Sequence, residues 1–189
     1  MPHYLLNKPH SHLSQFVNQH KARRNKKMLG YLHDFASGTM AVGRLDENSE
    51  GLLLLTTDGK ISYAILGRKV EKEYYVQLDG VITDSAIALL NKGVEIGVGG
   101  KQYTTLPGKV VRLDPEPDFS WSPKRVRHPR HGPTSWISVT IREGKYRQVR
   151  KMSAAVGFPV LRLIRVRIGH VRLGELLPGE VLEVEDFGF

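Results

Sequence analysis

A single acid, Asp46, follows an arginine, Arg44, by two residues in a loop bounded by Gly43 and Gly51. The chain then runs straight into Leu52-Leu53-Leu54-Leu55. An apolar run of that length between turn residues reads as a buried strand or helix segment, so Asp46 is expected at the mouth of a core element. A fixed, partly desolvated carboxylate there suits nucleophilic or acid–base chemistry. Four readings compete. A structural turn rich in Asp, Asn, Ser and Gly is the commonest fate of such a loop. A calcium loop is suggested by Asp46, Asn48, Glu50 and Gly51, but Thr57 stands where a bidentate Glu should close it. A phosphate cradle would need more glycines and a following lysine. The fourth reading is a catalytic carboxylate with Arg44 beside it.

Two further segments bear on that choice. Glu143-Gly144-Lys145-Tyr146-Arg147-Gln148-Val149-Arg150-Lys151-Met152 opens a helix with clustered cations. A solvated basic face is the ordinary outcome, yet an arginine beside the Val149/Met152 stripe lies where core meets solvent. There a guanidinium can hold a carboxylate ionised and oriented. Lys72-Glu73-Tyr74-Tyr75 sets an aromatic beside a cation, as base stacking requires, and equally fits an ordinary strand tyrosine. His10, His12, His128 and His131 could serve a hydrolase as bases or zinc ligands, but no carboxylate is spaced beside them.

The elements that must position these residues follow from pattern. Tyr4-Leu5-Leu6 is a short strand stopped by Asn7-Lys8-Pro9, and residues 10–25 read as a polar loop. Thr39–Val42 pairs as a strand before the Asp46 loop. A helix with Ile61, Ala64 and Ile65 on one face follows the Asp58-Gly59 turn, and Glu73–Leu78 is a strand. Thr83-Asp84 starts a second helix that stops at Asn91-Lys92-Gly93. Val110–Leu113 is a strand candidate, and the Pro-, Arg- and His-rich stretch 114–133 is loop. Ser135–Ile141 alternates with Ile137, Val139 and Ile141 inward. Tyr146–Val156 is helical, and Leu163–Ile168 alternates with Ile164, Val166 and Ile168 in and Arg165 and Arg167 out. Strands outnumber helices without regular alternation, which predicts an α+β fold with a largely antiparallel sheet.

The chain has 189 residues, 40% of them apolar, so it can bury a core as one domain, residues 1–189, in two lobes. Its 28 Lys+Arg against 19 Asp+Glu leave a net charge of +9, which favours a polyanionic partner, nucleic acid before an anionic membrane. With no cysteine, thiolate zinc sites, disulfides and cysteine nucleophiles are excluded, in keeping with a cytoplasmic protein. No run reaches the length of a spanning helix, and the amino-terminal residues have no secretory pattern.

Tyr4–Pro9, Gly43–Asp46 with Gly51–Thr56, Lys72–Tyr74 and Glu143–Met152, in this order, resemble the RsuA-type pseudouridine synthases, which isomerise uridine in ribosomal RNA. Pro133-Thr134-Ser135-Trp136, Gly157-Phe158-Pro159 and Leu161–Arg165 look nearest to the RluE branch, which modifies large-subunit RNA near the peptidyl-transferase centre. The resemblance implies the pseudouridine synthase fold, a mainly antiparallel mixed sheet flanked by helices, with two lobes and a central cleft. It implies an isomerase with no cofactor and no metal, a ribosomal RNA partner and a monomer. By position, Asp46 matches the catalytic aspartate and Arg44 the arginine that displaces the target base. Tyr74 matches the tyrosine packed on the flipped uracil, and Arg150 the arginine paired with the aspartate. Lys8 and Pro9 belong to a supporting motif. Lys8, Arg147, Lys151, Arg23, Arg24, Lys124 and Arg125 are the further cations expected on the RNA side. Departures are His10-Ser11-His12 where many relatives have a glycine, Lys151 in place of an arginine, and no room before Tyr4 for an S4-type module. A non-catalytic RNA-binding or ribosome-assembly protein is the rival reading; it has no reason to set an acid near an anion-binding surface. If the runs 21–27 and 124–130 contact RNA backbone, neutralising two or three of their cations will weaken binding and flatten its dependence on salt, measured by titration at several ionic strengths.

Overall fold

The computed structural model describes residues 1–17, 25–67, 70–120, 122, 126 and 128–189. In chain order the strands and helices are β1 (His3–Lys8), β2 (Met40–Ala41), β3 (Glu50–Thr56), α1 (Gly59–Gly67), β4 (Lys72–Asp79) and α2 (Asp84–Lys92). They continue with β5 (Glu95–Val98), β6 (Lys101–Thr104), β7 (Lys109–Arg112), β8 (Thr134–Ile141), α3 (Gln148–Ala155), β9 (Val160–Ile168), β10 (Val171–Arg172) and β11 (Val181–Val184). The α+β expectation holds. Contacts divide the chain into two compact units, Met1–Val70 with Arg165–Phe189, and Glu71–Ile164.

In the first unit β1 lies between β11 and β3, antiparallel to both, and β9 neighbours β3 on its other side. Leu52, Leu53, Leu54 and Leu55 are all fully buried, so β3 is covered on both faces, as its unbroken apolar run requires. Each such leucine contributes about 2 kcal/mol by leaving water. Leu53 and Leu55 join Tyr4, Leu6 and Leu29 in one cluster, over which Phe16 and Phe35 pack with rings at 86°. Asp58 starts α1 by accepting from the Lys60 amide at 2.8 Å and the Ile61 amide at 3.4 Å.

In the second unit β4 pairs antiparallel with β8 along its whole length, and β7 lies beyond β8. Thr83 caps α2, its hydroxyl accepting from the Ala86 amide. Asn91 then fastens that helix to β7, donating to the Val110 carbonyl at 3.0 Å and accepting from the Val110 amide at 2.8 Å.

Several expectations are corrected. Arg165 is only 3% exposed and points inward, its Nε donating to the Leu52 carbonyl at 2.7 Å. The strand is buried on both faces, so alternation could not sort its arginines from its aliphatics. The helix expected from Tyr146 to Val156 runs from Gln148 to Ala155, because Arg147 takes a left-handed conformation (φ 53°) that precedes the helix. The loop after Pro9 is not wholly solvated: His12 and Ser14 are buried, and the Leu13 and Leu29 amides donate to the Lys27 and Gln15 carbonyls. β5, β6, β10 and β11 were not foreseen.

Gly51 opposes Lys8 in the β1–β3 register, with φ at 101°. A methyl built there would lie 2.3 Å from the Arg165 carbonyl oxygen. Gly51→Ala is therefore expected to destabilise the fold by about 3 kcal/mol, read from its urea unfolding midpoint.

Candidate active site

Asp46 is half-buried and Arg44 exposed, both in the loop between β2 and β3 of the first unit. Three separate ties fix that loop. Ser14, 6% exposed, accepts from the Leu45 amide at 3.0 Å and donates to the Leu45 carbonyl at 2.9 Å, holding both backbone groups of the residue before Asp46. The Ser11 amide donates to the Glu47 carbonyl at 2.9 Å, and the Ser49 amide to the Asp46 carbonyl at 3.0 Å. The third tie is Lys8. This last residue of β1 is fully buried, and its Nζ donates to the carbonyls of His12 at 2.7 Å, Pro9 at 2.9 Å and Glu47 at 3.4 Å. An ammonium has three donors, and all are used.

Lys8 lies among charges: Glu50 at 2% exposure and Arg165 at 3% are buried with it. Burial pulls its pKa from 10.5 down to about 7; Glu50 opposes that most strongly, Arg165 adds to it, and Asp46 and Glu47 hold it up. A buried ammonium cannot face an RNA phosphate, so Lys8 belongs beneath the Asp46 loop rather than among the RNA-contacting cations. Burial likewise lowers the pKa of His12, whose Nδ1 lies 3.1 Å from the His10 carbonyl. Lys26 meets Glu47 at 2.7 Å on the surface, a pair worth little in water.

The remaining predicted residues belong to the second unit. Tyr74 is 8% exposed on β4, opposite Val139 of β8. Arg150 and Lys151 are half-buried on α3, and Arg147 immediately precedes that helix. Lys151 donates to the Gly97 carbonyl at 2.6 Å and lies 5.3 Å from the Tyr146 ring centre. Glu143 organises the turn into α3, accepting from Tyr103 Oη at 2.6 Å, the Leu106 amide at 2.9 Å and Gln148 Nε2 at 2.5 Å. The Tyr103 bond raises that phenol's pKa. Gln148 Oε1 in turn accepts from the Lys145 amide at 2.9 Å, so the cation-bearing turn is braced from within. Arg23, Arg24, Lys124 and Arg125 lie outside the described residues.

Ser14 and Gln148 were missed by sequence reasoning. Ser14 carries no local signal, since its partner is a backbone thirty-one positions away. Gln148 could have been found from its place beside Val149 at the head of an amphipathic helix. Among the described residues no group of His, Asp or Glu side chains is arranged to hold a metal. Nor is any helix among them long and apolar enough to cross a membrane.

Lys8→Met would take the donor away from the carbonyls of Pro9, His12 and Glu47, destabilising the fold by about 2–4 kcal/mol. The pH dependence has a definite sign. Below about pH 7 Lys8 is protonated both folded and unfolded, and the penalty of holding the charge inside is fully present. Between about 7 and 10.5 the unfolded chain binds a proton that the folded one does not, so this group makes stability rise with pH. Urea unfolding near both ends of that window should show the rise in the native protein and its loss in Lys8→Met.

Comparison with known proteins agrees with this picture. A sequence model of the family described as RNA pseudouridylate synthase matches residues 2–155. Ribosomal large subunit pseudouridine synthase E of Vibrio parahaemolyticus is 39% identical over 183 residues, spanning 96% of this chain and 73% of that protein. The synthase of the same name from Xanthomonas axonopodis pv. citri is 40% identical over 177 residues, spanning 92% and 89%. A crystal structure of a pseudouridylate synthase superposes with a TM-score of 0.76 at 28% identity, covering 97% of this chain and 70% of the other. The fold is thus the pseudouridine synthase fold, and the chain belongs to the RNA pseudouridylate synthase family, on the side of its large-subunit synthase E branch.

Proposed function

We propose that this isomerase converts one uridine of large-subunit ribosomal RNA to pseudouridine, near the peptidyl-transferase centre, with Asp46 as its catalytic group. The observation that carries the reading is the immobilised Asp46 loop: a half-buried carboxylate whose neighbours Leu45 and Glu47 are tied down by Ser14, Ser11 and Lys8. A mere turn does not need a buried ammonium and a buried hydroxyl to fix one acid. The relatives named as large-subunit synthases, together with the net charge of +9, support an RNA substrate.

The reaction breaks the C1′–N1 bond, turns the uracil and joins C1′ to C5; the C5 hydrogen leaves as a proton and N1 takes one up, so the net change is an isomerisation. Uracil cannot turn within a stack, so the nucleotide must be extruded, at roughly a few kcal/mol. Arg44, exposed two residues before Asp46, takes the role of displacing the base. Tyr74 packs against the flipped uracil, returning about 1–3 kcal/mol of that cost. Arg150 pairs with the catalytic carboxylate, and Arg147 and Lys151 contact the RNA backbone. Asp46 either attacks the sugar or ring directly or removes a ribose proton. Residues 1–189 act as one catalytic domain, in the cytoplasm and as a monomer.

Asp46→Asn should retain the native unfolding midpoint and lose isomerisation by roughly 10²–10⁴-fold. Tritium released from ribosomal RNA labelled at uridine C5 measures this, and normal turnover by a folded Asp46→Asn protein would remove Asp46 as the catalytic group. Mapping pseudouridines in ribosomal RNA from cells with and without the protein should show one large-subunit position lost; no change would favour an assembly role.

A further inference from the structure

The surface of α1 beside the Asp46 loop carries an aromatic that neither the core nor the proposed chemistry uses. Helix α1 buries Ser62 and Ile65. Tyr63 is 81% exposed and Leu66 51%. Three residues apart on a helix, these two are surface neighbours. Leu66 reaches the catalytic loop: a methyl built on Gly43 would lie 3.2 Å from Leu66 Cδ2, so the leucine rests on the bare backbone next to Arg44. The exposed aromatic, the leucine and the start of the Arg44–Asp46 segment therefore form one continuous patch within the first unit.

The exposed charges that α1 and Arg44 bring to this patch have one sign. Gly59–Gly67 contains no acid, and its Lys60 is exposed, as is Arg44. Asp58, at the head of the helix, already accepts from two backbone amides. A flat π-face flanked by cations and bordered by an aliphatic side chain matches the chemistry of an unpaired nucleotide: base on ring, phosphate on cation.

On the reading that this enzyme extrudes a uridine beside Arg44, we infer that Tyr63, with Leu66 as its support, is a stacking platform for an unpaired nucleotide flanking the target. Extrusion leaves the neighbouring base with one face bare, and an external aromatic next to the catalytic loop covers it. Tyr63 is then a positioning residue that touches the RNA strand and not the reacting atoms. It selects substrates whose target lies in a single-stranded or loosened segment.

The test uses a fluorescently labelled single-stranded dodecaribonucleotide, its duplex, and large-subunit ribosomal RNA tritiated at uridine C5, with native protein, Tyr63→Ala and Tyr63→Phe. Tyr63→Ala should bind the single strand about 5- to 100-fold more weakly while leaving its salt slope unchanged. Duplex binding should stay as in the native protein. On ribosomal RNA the same variant should raise KM and leave kcat within about twofold, the pattern of lost binding that is uniform along the reaction. Tyr63→Phe should restore both, since the ring and not the hydroxyl stacks. Native single-strand affinity in Tyr63→Ala, equal loss in Tyr63→Phe, or equal loss on the duplex would each overturn the inference. So would a change in oligomeric state of Tyr63→Ala with RNA affinity intact, which would make the patch a contact between copies. Absence of tritium release by the native protein would instead defeat the functional reading, and the binding measurements would still decide the platform.

Discussion

A buried ammonium is the constraint on which the first unit depends. Lys8 closes β1, and its Nζ gathers the carbonyls of Pro9, His12 and Glu47, so one side chain joins the strand, the loop after it and the loop that carries Asp46. Removing an ammonium from water costs several kcal/mol; three hydrogen bonds to carbonyls and the charge of the buried Glu50 offset part of it, and burial still brings the Lys8 pKa down to about 7. Satisfying that charge leaves the loops few alternative arrangements. Ser14 adds a neutral version of the same device one residue before Asp46. The loop is held through its polar groups as well as through the buried side chains of Val42 and Leu45.

Rigidity of this kind suits the proposed action of Asp46 on an extruded nucleotide. The second unit shows a related solution around Glu143, which collects a phenol, an amide nitrogen and a backbone amide ahead of α3. There the fixed group is a turn bearing cations rather than an acid. In both units a charged side chain is satisfied first, and the functional side chains stand on the backbone it holds. Conformational entropy is thereby removed before the RNA arrives, so less of the binding energy is lost in ordering the protein.

Much of the fold was legible wherever the pattern was strong. The leucine run gave β3, and the alternation of Ile137, Val139 and Ile141 gave the core face of β8. Thr83 and Gly93 bracketed α2, as their capping chemistry predicts. The β5–β6 hairpin was missed although Gly99-Gly100 offers a two-residue turn signal, because the flanking residues are largely polar and exposed. Arg165 was placed on the wrong side because β9 is covered on both faces from Arg162 to Arg165, where alternation assigns no side chain to solvent. The proposed site could be read from the sequence only as residue types in order, Asp46 with Arg44 in a loop of the first unit, and Tyr74 and Arg150 in the second. Its support could not. No spacing rule shows that carbonyls from residues 9, 12 and 47 meet at one nitrogen, or that a serine in a polar stretch will clasp Leu45.

The stretch between β7 and β8 is moored by Phe119. Its ring packs 5.7 Å from Trp136 of β8 and 6.2 Å from Tyr75 of β4, with the Arg162 guanidinium 5.2 Å above it. Together with the Leu113 amide, which donates to the Trp136 carbonyl at 2.9 Å, that mooring makes residues 113–119 a tether held at both ends beside β8. Lengthening such a tether costs only with the logarithm of its span. Descendants of this chain can therefore insert, delete or reshuffle residues between Leu113 and Phe119 while β8 keeps its register, so that span is a natural place for lineages to diverge in sequence without refashioning the sheet.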